Sequence, residues 1–590
     1  MIQNKKCEDK HSVDSCILQL SDHISFHIKN LGQIKEAVVN LKDLNIIMGH
    51  NSTSKTYLTH TIYGFYKFLL HTLHLLLSPK FADSYDNEMN TGGVVYASDY
   101  LASYGLKSPY FIDGLSINKW LLTKIDKIKH EPLSTLEFSI PLSELEEAIS
   151  RDLNHLAEYY VKNCLSQDLA IDPALANTML SGCSLQLLLN KNFLGVDLQL
   201  NQGQSLGDDL RFQRLTFLLN INNPWQTNDQ FARMSFILKS CGLNITITND
   251  VPFIEDKQPL DYGRVAKLLS GSVISHLWVV VSGLSFVNPF VISADRASIP
   301  LFYKELDANR SNLIRSMQNN PDFQRILGVE QLLQQQTGNY SQMVQDNINF
   351  VRSLSSYKKH YIRYTLDMNS NKDTKLDQSR IAINQFQNIA DYLSQEINHG
   401  NYEIDEEFDQ IYFVPLSQDR PVRIPIHNVS SSIKALLILD FYVKYVLPLP
   451  NSYKKFLIID EPELSLHPDN QRKIARLLAM IVNTGVKVMC TTHSDFFIHE
   501  FNNLIGLSSL SEEDRQDIIS IKFEGNKTIY ASDMLLTQDQ ISCYEMSDKS
   551  SSNIVVEKCV VDKYGIEAKY IDDEGSKINN MMRNIQDKFW

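Results

Sequence analysis

The chain reads Lys455-Phe456-Leu457-Ile458-Ile459-Asp460-Glu461-Pro462-Glu463-Leu464-Ser465-Leu466-His467-Pro468. Four apolar residues followed by two acids describe a buried strand that delivers carboxylates at its C-terminal end. In an open α/β sheet, ligands collect at that end. A helix over 471–482 follows, and then a second apolar strand, Val486 to Cys490, which ends in Thr491-Thr492-His493-Ser494. A histidine at the tip of a neighbouring strand is placed to hydrogen-bond whatever the two acids hold.

Upstream, Asn45-Ile46-Ile47-Met48-Gly49-His50-Asn51-Ser52-Thr53-Ser54-Lys55-Thr56 is one residue short of the phosphate-cradling pattern G-x-x-x-x-G-K-[ST], with Ser54 where the second glycine belongs. Leu44 to Met48 is a short apolar run. After Thr56 the apolar positions Leu58, Ile62, Phe65, Leu69, Leu73 and Leu76 recur at helical spacing. A loop between a strand and a helix is the setting such a motif requires. Gly49, His50, Asn51, Ser52, Thr53, Ser54, Lys55 and Thr56 are therefore the candidate nucleotide cradle, with Lys55 on the β/γ-phosphate oxygens. Thr56 and Asp460 are the candidate magnesium ligands, Glu461 polarises the attacking water, and His493 bonds the γ-phosphate or that water. Serine is small, so Ser54 is expected to accept the helical backbone geometry that precedes a helix, keeping binding intact while turnover slows.

Composition narrows the class. A formal net charge of −13 over 590 residues encodes no wholesale grip on nucleic acid. The one basic, aromatic-interleaved patch is Ser356 to Tyr364, read as a solvated helix face before a DNA contact. Eight scattered cysteines without a C-x-x-C pair suit reduced thiols in a cytoplasmic protein, not zinc or a disulfide framework. The polar N-terminus is no signal peptide. The apolar run Leu277 to Ile292 is broken by Gly283, Asn288 and Pro289, so it reads as two buried strands and not a membrane span.

Ile459 to Pro468 together with Thr491 to Ser494 resembles the ABC-type ATPases of the SMC, RecF and OLD class, and among these the stand-alone AAA-type ATPases of bacterial antiphage systems such as the Septu type. The resemblance covers about 24–65, 290–305 and 400–507. It implies an α/β P-loop NTPase fold of ABC type with a large inserted mixed helical and strand lobe, and ATP with Mg²⁺ as ligands. It further implies a signature loop at Val429-Ser430-Ser431-Ser432-Ile433-Lys434 that crosses to a second subunit and caps the γ-phosphate there. The bland reading, in which a serine simply caps a core helix, is satisfied by the same residues. Arg296, in Ile292 to Ala297, resembles a family arginine near the nucleotide and is a candidate phosphate or inter-subunit contact.

The expected organisation is an ATPase core start over 1–63, an inserted lobe over 64–270, core strands over 271–300, a helical insert over 301–400, the second half of the core over 401–507 and a small β-rich appendage over 508–590. The function implied is an ATPase that forms a homodimer or higher oligomer around ATP and controls a separate nuclease effector or DNA in phage defence. Three alternatives stand beside it: an OLD-like nuclease or RecF-type repair ATPase, a transporter's nucleotide-binding subunit, and an ATP-binding scaffold with little turnover. Metal-dependent nuclease chemistry needs paired acids, and Glu557, Asp572 and Asp573 are the only late candidates. Too little chain surrounds them for a Toprim domain.

Overall fold

A computed structural model describes residues 24–50, 53–77, 135–189, 214–221, 231–240, 243–252, 288–304, 340–370, 376–405, 410–416, 422–449, 455–520, 530–548 and 553–568. The chain forms two compact units. The smaller comprises 1–27, 67–163 and 185–287, and the larger comprises 28–66, 164–184 and 288–590.

The larger unit is an α/β assembly. Its first strands are the end of β1 (Ile24–Leu31), β2 (Ile34–Asn40) and β3 (Leu44–Gly49), and the first part of helix α1 (Lys55–Leu77) follows the loop after β3. The smaller unit holds β4 (Thr135–Pro141), helix α2 (Leu142–Asn163) and most of β5 (Ser184–Leu189). It also holds β6 (Arg214–Ile221), β7 (Phe231–Ser240) and β8 (Leu243–Pro252). Strands β4, β6, β7 and β8 pair antiparallel in that order.

The chain then returns to the larger unit. It supplies β9 (Asn288–Ile292), helices α3 (Gln342–Arg352), α4 (Leu354–Ser370) and α5 (Leu376–Tyr392), and the antiparallel set β10 (Gly400–Asp405), β11 (Gln410–Pro415) and β12 (Ile424–Pro425). Next come α6 (Ser431–Phe441), β13 (Lys455–Asp460), α7 (Pro468–Asn483), β14 (Lys487–Thr492), α8 (Asp495–Ser509), β15 (Ile541–Asp548) and β16 (Ile554–Lys558).

From β2 onward the main sheet runs β2-β16-β15-β3-β14-β13-β9. The five strands β15, β3, β14, β13 and β9 are all parallel. All six residues of β3 and of β14 are buried, as parallel strands covered on both faces must be. Leu44, Ile46 and Met48 share a core with Leu457, Ile459, Val488, Cys490, Ile541 and Cys543, and with Ile474, Leu477, Leu478 and Ile481 of α7. Each such side chain contributes roughly 1.5–3 kcal/mol relative to exposure.

Local chemistry sets the element ends. Lys455 opens β13, and its ammonium caps the carbonyls of Val446, Leu447 and Leu449 left by the preceding helix. His467 caps α7 by accepting the Asp469 N–H at 3.3 Å, with Pro468 in the first turn. Ser494 caps α8 by accepting the Phe497 N–H at 3.2 Å.

The segment expected as a C-terminal appendage is placed differently. Strand β15 lies inside the main sheet between β3 and β16, pairing Cys543 with Ile46 and Met546 with Gly49. The buried Ser542 hydroxyl donates to Asn45 Oδ1 at 2.7 Å, which satisfies a polar residue in mid-sheet. The basic patch of 356–364 lies on α4, with Ser356, Lys359, His360 and Arg363 exposed. Of the run Leu277 to Ile292 only β9 is described, and no described helix is long and apolar enough to cross a membrane. Asp572 and Asp573 lie outside the described residues.

Candidate functional site

Parallel register brings four strand ends to one edge. Ile292 pairs with Ile459, Asp460 with Thr491, Thr492 with Met48, and Gly49 with Met546. The loop after Gly49 leaves β3 there, the two acids end β13 there, and His493 follows β14 there. This is the carboxyl edge at which open α/β sheets bind ligands.

The loop turns on Gly49, at φ +149°, where a Cβ would collide with the backbone carbonyl of Met546. Only glycine lets β3 pass so close to β15 at this point. Lys55 is buried, and its ammonium donates to Gly49 O at 3.1 Å, His50 O at 2.8 Å and Thr53 Oγ1 at 3.4 Å. Burial pulls it down to about 8, against the opposing pull of Glu461, Asp460 and Glu463. Thr56 is exposed in the first turn of α1. Asn51 and Ser52 lie outside the described residues.

Ser54 departs from expectation. Its φ is +61°, the left-handed region, and not the right-handed geometry expected before a helix. Its carbonyl accepts the Leu58 N–H at 3.2 Å, so the residue does start α1, but through a conformation natural to the missing glycine.

Asp460 is 1% exposed at the end of β13. Its Oδ1 accepts the hydroxyls of Thr59 and Thr491, each at 3.2 Å. Its Oδ2 lies 3.4 Å from His60 Nε2 and has no hydrogen-bond partner among the described residues. A buried hard oxygen with unused lone pairs is the donor type that suits Mg²⁺.

Glu461 sits at φ +45°, with its N–H donating to Thr491 O at 3.1 Å and Thr491 Oγ1 at 3.0 Å. Its Oε1 lies 3.5 Å from His493 Nε2, both side chains being about one third exposed or less. The His493 hydrogen bond holds the Glu461 carboxyl below the usual carboxylate range, with Lys55 and Arg296 adding to the same effect against burial.

Glu463 was not among the residues singled out from sequence. It is buried, and its Oε1 accepts the Thr492 hydroxyl at 2.7 Å and the His493 N–H at 2.8 Å. Burial pushes its carboxyl up. It fixes the backbone from which His493 projects. Its position inside Asp460-Glu461-Pro462-Glu463 was the available signal. Thr59, which donates to Asp460 from α1, and His60, which lies beside it, had no motif to mark them.

Two expected site elements are placed away from the cradle's own hydrogen bonds. Ser430 caps α6 by accepting the Ile433 N–H at 3.4 Å and pairs with Ser432 Oγ at 2.8 Å. Ser430 and Ser431 are exposed. Arg296, expected near phosphate or a second subunit, is 1% exposed, and its guanidinium is directed at backbone carbonyls. It donates from Nε to Ala435 O at 3.0 Å, from Nη1 to Ser293 O at 3.3 Å and Asp460 O at 2.6 Å, and from Nη2 to Glu461 O at 2.6 Å. Burial brings Arg296 down to about 10, so it stays charged at neutral pH.

Among the described residues no group of three or more His, Cys, Asp or Glu side chains forms a metal cluster. An open cavity of about 400 Å³ lies between α7 and α8, lined by Pro468, Asp469, Arg472, Phe496, His499 and Asn503, and it includes none of the residues just described.

No curated protein matches the chain. Solved structures similar to it include the Smc head domain with an extended coiled coil bound to the C-terminal domain of ScpA, from Pyrococcus furiosus. That pair has 12% identity, covers 95% of this chain and 98% of that one, and has a TM-score of 0.27. The SmcHead bound to the C-winged helix domain of ScpA gives 12% identity, 90% and 97% coverage and a TM-score of 0.28. Residues 304–498, which carry β13, β14 and the acids but not the phosphate loop, match the family model of the AAA ATPase domain.

Proposed function

We propose that the chain binds ATP with Mg²⁺ at the β3, β13 and β14 edge and hydrolyses it slowly. The observation that supports this most is the meeting of Lys55, Asp460, Glu461 and His493 at one strand edge. They come from three segments, the first more than four hundred positions before the other two, and both of those lie inside the region that matches an ATPase family.

In this reading the loop amides and Lys55 hold the phosphates. Lys55 exchanges the carbonyls of Gly49 and His50 for phosphate oxygens, which are better acceptors for an ammonium. Thr56 and Asp460 would hold the magnesium, which supplies neutralisation of charge on the β- and γ-phosphates. Glu461, ionised at neutral pH, accepts a hydrogen bond from the attacking water. His493 orients that carboxylate and offers its ring to the γ-phosphate. A base held below the ordinary carboxylate range is a weak one, which favours slow turnover.

The inter-subunit part of the proposal rests on the resemblance. At the N-terminus of α6, exposed Ser430 and Ser431 and half-buried Ser432 offer hydroxyls and amide N–H groups to the γ-phosphate of a second copy. ATP then closes two subunits, and the closed pair controls a separate nuclease or a DNA contact in antiphage defence. Residues 64–270 would form the inserted lobe of this machine.

The test is Mg²⁺-dependent ATP hydrolysis by the wild type and Glu461→Gln, with molecular mass recorded with and without ATP. The reading expects the variant to lose turnover, keep binding and accumulate as the larger ATP-bound species. Absence of ATP binding by the wild type refutes it. Binding without turnover in either form replaces the ATPase with a nucleotide-gated scaffold.

A further inference from the structure

We infer that Arg296 is a positioning residue that couples the N-terminus of α6 to the backbone of Glu461; the inference rests on the ATPase reading above. Four hydrogen bonds leave one guanidinium and reach three separate pieces of chain. Ser293 O belongs to the turn after β9, Ala435 O to the first turns of α6, and Asp460 O and Glu461 O to the end of β13. A structural arginine in a core ordinarily finds a carboxylate, because a paired charge is the cheap way to bury one. Among the described residues this one's hydrogen bonds all go to carbonyls, two of them those of the candidate metal ligand and the candidate base, while the carboxylates of Glu463, Asp460 and Glu461 act on it from farther away.

The geometry of Glu461 gives those bonds a task. At φ +45° a glutamate is in a sparsely populated region, and such a residue keeps that conformation only when its surroundings over-determine it. Glu461 is gripped from both sides: its N–H by Thr491 and its carbonyl by Arg296 at 2.6 Å. The grip aims the carboxylate at His493. The Nε bond to Ala435 O ties the same guanidinium to the helix whose exposed end carries Ser430, Ser431 and Ser432. A displacement of α6 therefore reaches the Glu461 backbone through one rigid planar group, without a chain of flexible side chains. Lysine cannot replace it, since a single ammonium nitrogen on a flexible stem cannot span acceptors lying on three elements.

The experiment measures kcat, nucleotide Kd and thermal midpoint for wild type and Arg296→Lys, with kcat expressed per nucleotide-binding site. The expected result is a loss of at least tenfold in kcat, and up to about 100-fold as small misplacements of a reacting group produce, with Kd within twofold. A merely structural arginine would lower the midpoint and the number of competent sites but leave kcat per site unchanged, and that result overturns the inference. If Arg296→Lys does not fold, hydrogen exchange serves with Ser432→Ala, a change in the outer turn of α6. Nucleotide-dependent protection of 459–465 should differ from wild type, and identical protection overturns the coupling. A wild type without turnover would instead remove the underlying ATPase reading.

Discussion

Replacing Ser54 by glycine should stabilise the protein, although the change deletes a side chain. Ser54 holds φ +61°, where the Cβ of an L-residue crowds the following carbonyl and costs roughly 1–2 kcal/mol. Glycine removes that term and adds about 0.5–1 kcal/mol of unfolded-state entropy. The difference leaves a net gain of up to about 1.5 kcal/mol, a rise on the order of 2–4 °C in the unfolding midpoint. Ser54→Ala keeps the Cβ and should be nearly neutral, and Ser54→Val, with a branched Cβ in the same region, should be the least stable of the set. Thermal melts of the four proteins without nucleotide decide it. A midpoint for Ser54→Gly equal to or below that of Ser54→Ala would refute the reasoning, because it would mean that the backbone at 54 is not left-handed in solution.

Three further outcomes follow from the same geometry. Lys55 stands at about 8 without ligand, and phosphate oxygens would restore its proton, so ATP binding takes up a proton above that pH. ATP affinity should fall as pH rises from 8 toward 10, while the stability of the free protein gains over the same window because the unfolded chain then binds more protons. Calorimetric titrations in buffers of different ionisation enthalpy read the uptake. Gly49→Ala forces a Cβ against Met546 O and should cost on the order of 2–3 kcal/mol in denaturant titration together with nucleotide binding. Glu500 is fully buried between Arg472 Nε at 2.7 Å and Arg476 Nε at 2.6 Å. Glu500→Ala leaves Arg476 a buried cation without its carboxylate, held by Tyr392 and the Tyr530 ring, and should cost about 3–5 kcal/mol in a urea titration, with ATP affinity in the surviving folded protein unchanged.

The parallel strands β3, β13 and β14 were legible because each is an apolar run ending in chemistry-bearing residues, and a strand covered on both faces has no polar alternation to confuse it. Strand β15 was not legible as a sheet centre. Ile541-Ser542-Cys543-Tyr544-Glu545 alternates polar with apolar residues like a half-exposed strand, yet Ser542 is buried and bonded to Asn45. Propensity cannot reveal a partner 497 positions away. At the site, motif spacing marked Lys55, Asp460, Glu461 and His493. It could not mark Thr59 or His60, and although Glu463 sits inside the acidic motif its role rests on contacts across elements that spacing does not show. Arg296 was marked by its resemblance to a family arginine, but its direction depends on how α6 packs on β9 and β13, which no local pattern records. Ser54 was read by size, while the deciding quantity was the sign of φ.

The central place of β15 also has a consequence in time. A ribosome adding about 5–20 residues per second needs roughly 25–100 s to travel the 497 positions from Asn45 to Ser542. For most of that interval neither neighbour of β3 exists, and once β14 has been made β3 still presents bare N–H and C=O groups on the β15 side, beside the loop that carries Lys55. An open strand edge of this kind recruits other strands. The nascent chain therefore depends on delay or on escort, and a chain interrupted between β14 and β15 would carry every motif residue of the site and still leave its central strand half-paired.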